Sequence, residues 1–159
     1  ALGAQVVLGS TGGERVLDME DFLVDYYTTA LAPDEVLTGI RVPAMRPGAV
    51  GHYARFLRTA AEHRPLASVA LVAHRQGAVC SAARLVVGAS TPIATRLRRA
   101  EAFLEGKTVT LDVAAEAAGM VAADIEPVSD LRGAADYRRD MVAVVARRTI
   151  AGLFGLATD

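Results

Sequence analysis

The sequence predicts an α+β fold in which a small three-stranded antiparallel sheet is packed by about three helices. Two observations lead to this prediction. Short runs of branched apolar residues, separated by turn signals, fill residues 53–88, and the apolar period changes from two toward 3.6 after Thr95. Strands followed by a run of helices are typical of α+β domains.

Composition and charge exclude several classes of protein. The chain has 159 residues, of which 52% are apolar, which is enough for a folded core. The net charge of −1 leaves no basic field for nucleic acid. A single cysteine and three histidines allow neither an internal disulfide nor a zinc motif. Because no apolar run approaches membrane-spanning length and no signal peptide is evident, we expect a cytoplasmic protein without a membrane span.

The first 42 residues predict a hairpin, a short helix and a further strand. Residues 5–8 and 14–17 are the two hairpin strands, joined by the turn at residues 10–13. Asp18 is expected to cap the short helix through its carboxylate, and Phe22, Leu23 and Tyr26 are expected to face inward. Residues 36–42 form the next strand, which Pro43 ends.

A linker and a second unit follow. Residues 43–51 contain two prolines and two glycines, which favours a boundary. Strands are predicted at residues 53–58, 66–74 and 78–88 as an antiparallel meander, and helices at 96–104, 112–123 and about 134–156. Gly106 is expected to end the first of these helices, and Asp112 to cap the second. The longest helix is expected to pack on the sheet.

The sequence contains none of the common catalytic motifs. There is no cysteine pair, no dinucleotide-type or P-loop glycine segment, and no serine in a Gly-x-Ser-x-Gly context. Clustered N–H groups at residues 10–13 could attract a phosphate, but no helix begins directly after them, so we interpret this segment as a hairpin turn. Cys80 is expected to be a buried strand residue, and His63 a solvent-exposed loop residue.

Two further groups of residues allow both a structural and a functional interpretation. Asp130 and Arg132 are expected to pair and to fix the loop before the last helix, which leaves Arg138 and Arg139 outward, either in solvent or for a partner. Tyr53, Arg55 and Arg58 are expected on one strand face. There they are either ordinary surface residues or a site for an aromatic ligand that also accepts a hydrogen bond.

The order of several segments resembles the C-terminal half of the flavoprotein subunit of molybdenum hydroxylases. This is the medium subunit of carbon monoxide dehydrogenase and its xanthine dehydrogenase-like relatives. The resemblance covers essentially the whole chain and lies in several motifs in order rather than in one decisive motif. The segments concerned are residues 1–8, Gly13-Glu14-Arg15, Asp21-Phe22, residues 31–43 and residues 132–139.

The resemblance implies both a division of the chain and a role. Residues 1–45 would be the last part of an FAD-binding domain, and residues 51–159 the C-terminal domain of the family. In such enzymes FAD passes electrons from iron–sulfur clusters, which the molybdenum centre reduces, to an external acceptor. The partners expected from the resemblance are an iron–sulfur subunit and a molybdopterin subunit.

The resemblance also implies three cofactor-binding residues. Leu37 matches a position that lies against the flavin, and Tyr53 matches an aromatic residue that covers one ring face in some members. Arg55 stands where many relatives carry lysine near the ring, a change that keeps the charge but alters its shape. Glu62 stands where relatives often have aspartate.

The glycine-rich segments that hold the FAD pyrophosphate in the family precede the position of Ala1. We therefore expect a fragment of a longer flavoprotein: the parent binds FAD, whereas this chain alone binds none and is inactive. Strands in residues 1–45 would then be poorly ordered or satisfied by another copy of the chain. The alternative from another class is a free-standing, non-catalytic module that binds a protein or a small ligand.

Overall fold

A computed structural model describes residues 1–157 and divides them between two sheets, with a minor two-stranded ribbon beside the first. The N-terminal unit contains β1 (Gln5–Ser10), β2 (Gly13–Asp18) and β5 (Val36–Arg41), which form an antiparallel sheet in the order β2-β1-β5. Between β2 and β5 lie the single-turn helix α1 (Met19–Phe22) and the ribbon of β3 (Leu23–Asp25) and β4 (Thr28–Thr29).

The hairpin and the following strand are where the sequence predicts them. Branched residues favour strands, and Thr11-Gly12 is a two-residue connection between Ser10 and Gly13, which face each other. The small core of this unit consists of Val6, Leu8 and Phe22. Tyr26, however, is 61% exposed, so the prediction that it faces inward is wrong. It lies beyond the end of α1, in the turn between β3 and β4, where no helical face directs it to the core.

The second unit is a four-stranded antiparallel sheet followed by three helices. Its strands are β6 (Ala49–Phe56), β7 (Ala67–Gln76), β8 (Val79–Gly88) and the short β9 (Thr95–Arg96), in the order β6-β7-β8-β9. The helices are α2 (Arg98–Leu104), α3 (Leu111–Ala123) and α4 (Ala135–Leu153). The α+β class is confirmed, and β9 adds a short edge strand to the predicted three-stranded meander.

The helices cover one face of this sheet and leave the other open. Val69 and Leu71 of β7 and Leu85 and Val87 of β8 are fully buried beneath them. Helix α3 presents the small residues Ala114, Ala117 and Ala118 to this core, which permits close packing of α3 against α4. Burial of this apolar surface is the main stabilising contribution of the unit.

Two capping predictions are wrong in detail. Asp18 occupies the N-cap of α1, but its side chain makes no capping hydrogen bond and instead accepts one from Gln5 Nε2 at 2.9 Å. The N-cap of helix α3 lies two residues earlier than predicted, at Thr110, whose hydroxyl accepts the Val113 N–H at 3.2 Å. Asp112 lies in the first turn, where a carboxylate still suits the positive end of the helix.

Candidate functional site

The open face of the second sheet carries two of the three predicted site residues. Tyr53 of β6 lies opposite Ala70 of β7, and Arg55 lies opposite Ser68. Successive residues of a strand point to opposite faces, so Tyr53 and Arg55 share the face away from the helices. Tyr53 is 61% exposed, and Arg55 is also exposed.

Arg58 does not belong to this face, which corrects the prediction. Strand β6 ends at Phe56. Arg58 is three positions after Arg55, and side chains an odd number of positions apart in a strand point to opposite faces. Arg58 instead forms an ion pair with Glu62, whose carboxylate also accepts the Arg58 backbone N–H at 3.1 Å. The hydrogen bonds from Arg58 lower the pKa of Glu62. This pair holds the loop after β6.

A cleft of about 750 Å³ separates the open face from the N-terminal unit. Tyr53, Ala70 and Val86 form part of its sheet wall, whereas Leu37 and Arg55 do not line it. The opposite wall comes from the N-terminal unit: residues 1–4, residues 18–20, Leu23 and Pro43. An ion pair between Arg98 Nη2 and Glu20 Oε2, 2.8 Å long, joins the two units beside it.

Leu37 lies in the sheet of the N-terminal unit, whereas Tyr53 and Arg55 lie in the second sheet. The three predicted site residues are therefore not on one element. Leu37 faces Leu8 in the β1–β5 ladder, and its side chain is 43% exposed. Strand β5 is at the edge of its sheet and presents further exposed apolar residues, Val36, Ile40 and, just beyond its end, Val42. This apolar edge is a surface on which other groups can pack.

The exposed residues of the open face suit the ring system of FAD but not its diphosphate. An exposed tyrosine ring beside small residues and an arginine suits a flat heterocycle with hydrogen-bonding edges. The diphosphate would need converging backbone N–H groups at a glycine-rich turn or a helix start. Residues 10–13 form only the β1–β2 turn, with no helix directly after it. Tyr53 and Arg55 therefore offer an exposed surface suited to a flat ring, whereas the turn at residues 10–13 is not a phosphate-binding segment of this kind.

Arg138 is fully buried, so the prediction that it points outward is wrong. Its Nη2 donates to Asp130 Oδ1 at 2.6 Å, its Nη1 to the Ala89 carbonyl at 2.9 Å, and its Nε to the Gly133 carbonyl at 3.3 Å. Asp130 also pairs with Arg132, as predicted. The backbone N–H of Arg132 and the guanidinium of Arg138 hold the pKa of Asp130 far below its usual range.

The other candidate residues take their expected places. Cys80 is buried, and burial raises the pKa of its thiol to about 11, so it is not an activated nucleophile. His63 is exposed in the loop after β6. Within residues 1–157 no group of acidic, histidine or cysteine side chains is arranged to hold a metal ion. No helix in that range is long and apolar enough to cross a membrane.

Two models of known protein families match this chain. A family model described as the FAD binding domain in molybdopterin dehydrogenase matches residues 1–45. A second model, described as the CO dehydrogenase flavoprotein C-terminal domain, matches residues 52–153, well over half of the chain. The chain belongs to this CO dehydrogenase flavoprotein family. The resemblance expected from the order of segments is thereby confirmed.

Relatives of known function fall in the same family. The nicotine 6-hydroxylase medium subunit of Paenarthrobacter nicotinovorans is 33% identical over 94% of this chain and 52% of its own length. The carbon monoxide dehydrogenase medium chain of Hydrogenophaga pseudoflava is 31% identical, again over 94% of this chain and 52% of its own length. The chain thus spans about half the length of these relatives.

Solved structures show the same fold. Carbon monoxide dehydrogenase from Hydrogenophaga pseudoflava, in a form that lacks the Mo-pyranopterin moiety of the molybdenum cofactor, superposes with a TM-score of 0.90 at 32% identity. The match covers 98% of this chain and 54% of that one. Quinoline 2-oxidoreductase from Pseudomonas putida 86 gives a TM-score of 0.88 at 30% identity, over 97% and 53% of the two chains.

Proposed function

We propose that this chain is the second half of the FAD subunit of a molybdenum hydroxylase, a cytoplasmic electron-transfer enzyme. The observation that carries the proposal is the order of the two family matches, an FAD-binding segment at residues 1–45 followed by the C-terminal domain at 52–153. The relatives are about twice as long as this chain, which supports a longer parent polypeptide. The phosphate grip would then come from the remaining part.

The open sheet face supplies contacts to the flavin ring in this proposal. Tyr53 stacks on the ring and excludes water from it, since an aromatic side chain offers a flat apolar surface of the right size. Arg55, on the same face, donates a hydrogen bond to a carbonyl at the ring edge. Leu37, on the exposed edge of the first sheet, makes an apolar contact. Bound FAD supplies the redox chemistry, and the protein binds and orients it.

The partners in the proposal are an iron–sulfur subunit, which delivers electrons, and a molybdopterin subunit, which carries out substrate oxidation. Co-purification of the parent protein with both subunits would support this assignment. Genes for both subunits beside the coding sequence would support it as well. A natural start immediately before Ala1, together with stable folding of the isolated chain and no such partners, would favour a free-standing binding module instead.

Flavin binding by the full-length protein tests the role of the open face. We expect Tyr53→Ala and Arg55→Ala each to weaken FAD binding by about tenfold, as loss of one stacked ring or one charge-assisted hydrogen bond implies. Arg147→Ala, on the exposed side of α4, is the matched control and should leave the flavin content unchanged. Flavin content and FAD affinity equal to wild type in both variants would contradict the assignment. We also expect the 159-residue chain by itself to purify without a flavin absorbance spectrum.

A further inference from the structure

A second cleft, of about 530 Å³, lies on the same open face but nearer the other end of β7 and β8. The linker after Pro43 forms part of its wall. Five residues line both clefts: Ala1, Leu2, Pro43, Val72 and Arg84. Its polar side chains are Arg46 on the linker, His74 on β7, and Ser81 and Arg84 on β8. It adjoins the first cleft, which Tyr53 lines, but Leu37, Tyr53 and Arg55 do not line it.

A β-bulge in β8 brings these side chains to one face. Val72 pairs with Arg84 and His74 with Ser81, so two steps along β7 match three steps along β8. In a regular strand Ser81 and Arg84 would lie on opposite faces, because their positions differ by three, an odd number. The extra residue is accommodated near Ala82, whose φ of 50° is left-handed. Bulges of this kind re-aim side chains and are frequent beside functional sites.

The charged side chains that line this second cleft are all positive. Among the residues that line it there are two arginines and no aspartate or glutamate. The other cleft, which Arg84 also lines, differs because it contains Asp18 and Glu20. Its Arg96 is held by Glu101 through hydrogen bonds of 2.8 to 3.1 Å. The half-buried Arg84 guanidinium forms no hydrogen bond or ion pair with any residue from 1 to 157. A half-buried charge without a partner is costly, and an anion would satisfy it.

Two glycines in the left-handed region allow the chain to approach Arg84 and His74 closely. Gly3, with φ of 70°, lies so close to the Arg84 guanidinium that a Cβ there would clash with Nη1. Gly48, with φ of 79°, would place a Cβ 2.7 Å from His74 Nε2. His74 Nε2 donates to the Pro47 carbonyl at 2.9 Å, which fixes the ring beside the cleft. The donors are thus held in place by tertiary contacts.

We propose that this cleft binds the phosphate group of a small phosphorylated ligand. Two guanidinium groups and a serine hydroxyl all donate, and arginine binds phosphate oxygens in a bidentate manner. The cleft volume lies in the range that accommodates a small ligand rather than a lone ion. This site goes beyond the proposed flavin function and does not depend on it.

Calorimetric titration of the full-length protein at constant ionic strength tests the proposal, with inorganic phosphate, adenosine monophosphate and succinate as probes. We expect both phosphates to bind more tightly than succinate. Arg84→Gln should weaken phosphate binding by about tenfold, and Arg46→Gln by less, because Arg46 is more exposed. Gly3→Ala should also weaken binding without changing any charge, since its Cβ displaces the Arg84 guanidinium.

Arg147→Gln is the matched control, because it removes one exposed arginine that does not line the cleft. Circular dichroism and flavin content, measured on each variant, separate loss of this site from loss of folding or of the flavin site. The proposal is overturned if phosphate does not bind, if succinate binds more tightly than phosphate, or if Arg84→Gln and the control have equal effects.

Discussion

At the scale of single residues, the buried guanidinium of Arg138 connects three parts of the chain. It ties α4 to the carbonyl of Ala89 after β8 and to Asp130 in the loop before the helix. Nη1 also lies 3.5 Å from the carbonyl of Leu66, and the Leu66 N–H donates to the Phe56 carbonyl at the end of β6. The residue therefore holds the end of the strand that carries Arg55.

Replacement of Arg138 by leucine should destabilise the protein by about 2–4 kcal/mol, because it leaves buried carbonyls without donors. Arg139→Leu is the control. Among residues 1–157 the neighbouring Arg139 pairs only with Asp136, which is 95% exposed, so we expect a change within about 0.5 kcal/mol. Urea unfolding of both variants measures the difference. Equal free energies of unfolding would show that the buried network contributes no net stability.

Cys80 offers a second test at this scale. The thiol is buried in β8, and its pKa is raised to about 11 by burial, with a smaller contribution from Glu105. We expect no reaction with a maleimide reagent near neutral pH in the folded protein and complete reaction in urea. Mass spectrometry after timed labelling measures this. Rapid labelling of the native chain would mean that β8 opens readily.

At the scale of elements, one ion pair fixes the segment before β5 against β2. Arg15 Nε and Nη2 donate to the two oxygens of Glu35 at 2.6 and 2.8 Å, and the Ala32 N–H donates to the same carboxylate at 2.8 Å. These hydrogen bonds, chiefly the one from Arg15, lower the pKa of Glu35 to about 2. The ionised carboxylate is thus favoured in the folded state.

The sign of the pH effect follows from the depressed pKa. The pair contributes stability above the unfolded-state pKa of about 4.3, and the contribution is lost as the pH falls toward the folded-state value. Glu35→Gln should therefore destabilise the N-terminal unit at about pH 6 and flatten its acid transition. Hydrogen exchange of β1 amides measures this, with exposed Glu14→Gln as the control. An unchanged acid transition in the Glu35 variant would contradict the assignment.

At the scale of the whole molecule, the two units differ greatly in the size of their cores. Three residues are buried in the N-terminal core, whereas the second core joins the sheet to all three of its helices. Strand β5 also has one unpaired edge among the described strands and several exposed apolar side chains. Small cores and free edges open more easily than large ones.

We therefore expect amides in residues 1–45 of the isolated chain to exchange faster than those in residues 66–88. Hydrogen-exchange mass spectrometry measures the rates, and light scattering establishes that the sample is monomeric. If the chain associates through β5, protection in residues 1–45 should rise with protein concentration. Equal protection of the two regions in a demonstrated monomer would contradict the prediction.

The sequence by itself determined the secondary structure and the family of this protein, because period, turn residues and segment order are local properties. The hairpin, the meander, the three helices and the shared strand face of Tyr53 and Arg55 all follow from them. Tertiary structure alone decided that Arg138 is buried, since its partners at Ala89 and Leu66 lie 49 and 72 residues away. Only the folded chain also revealed the bulge beside Arg84, because a bulge depends on the register between two strands and not on the sequence of either one.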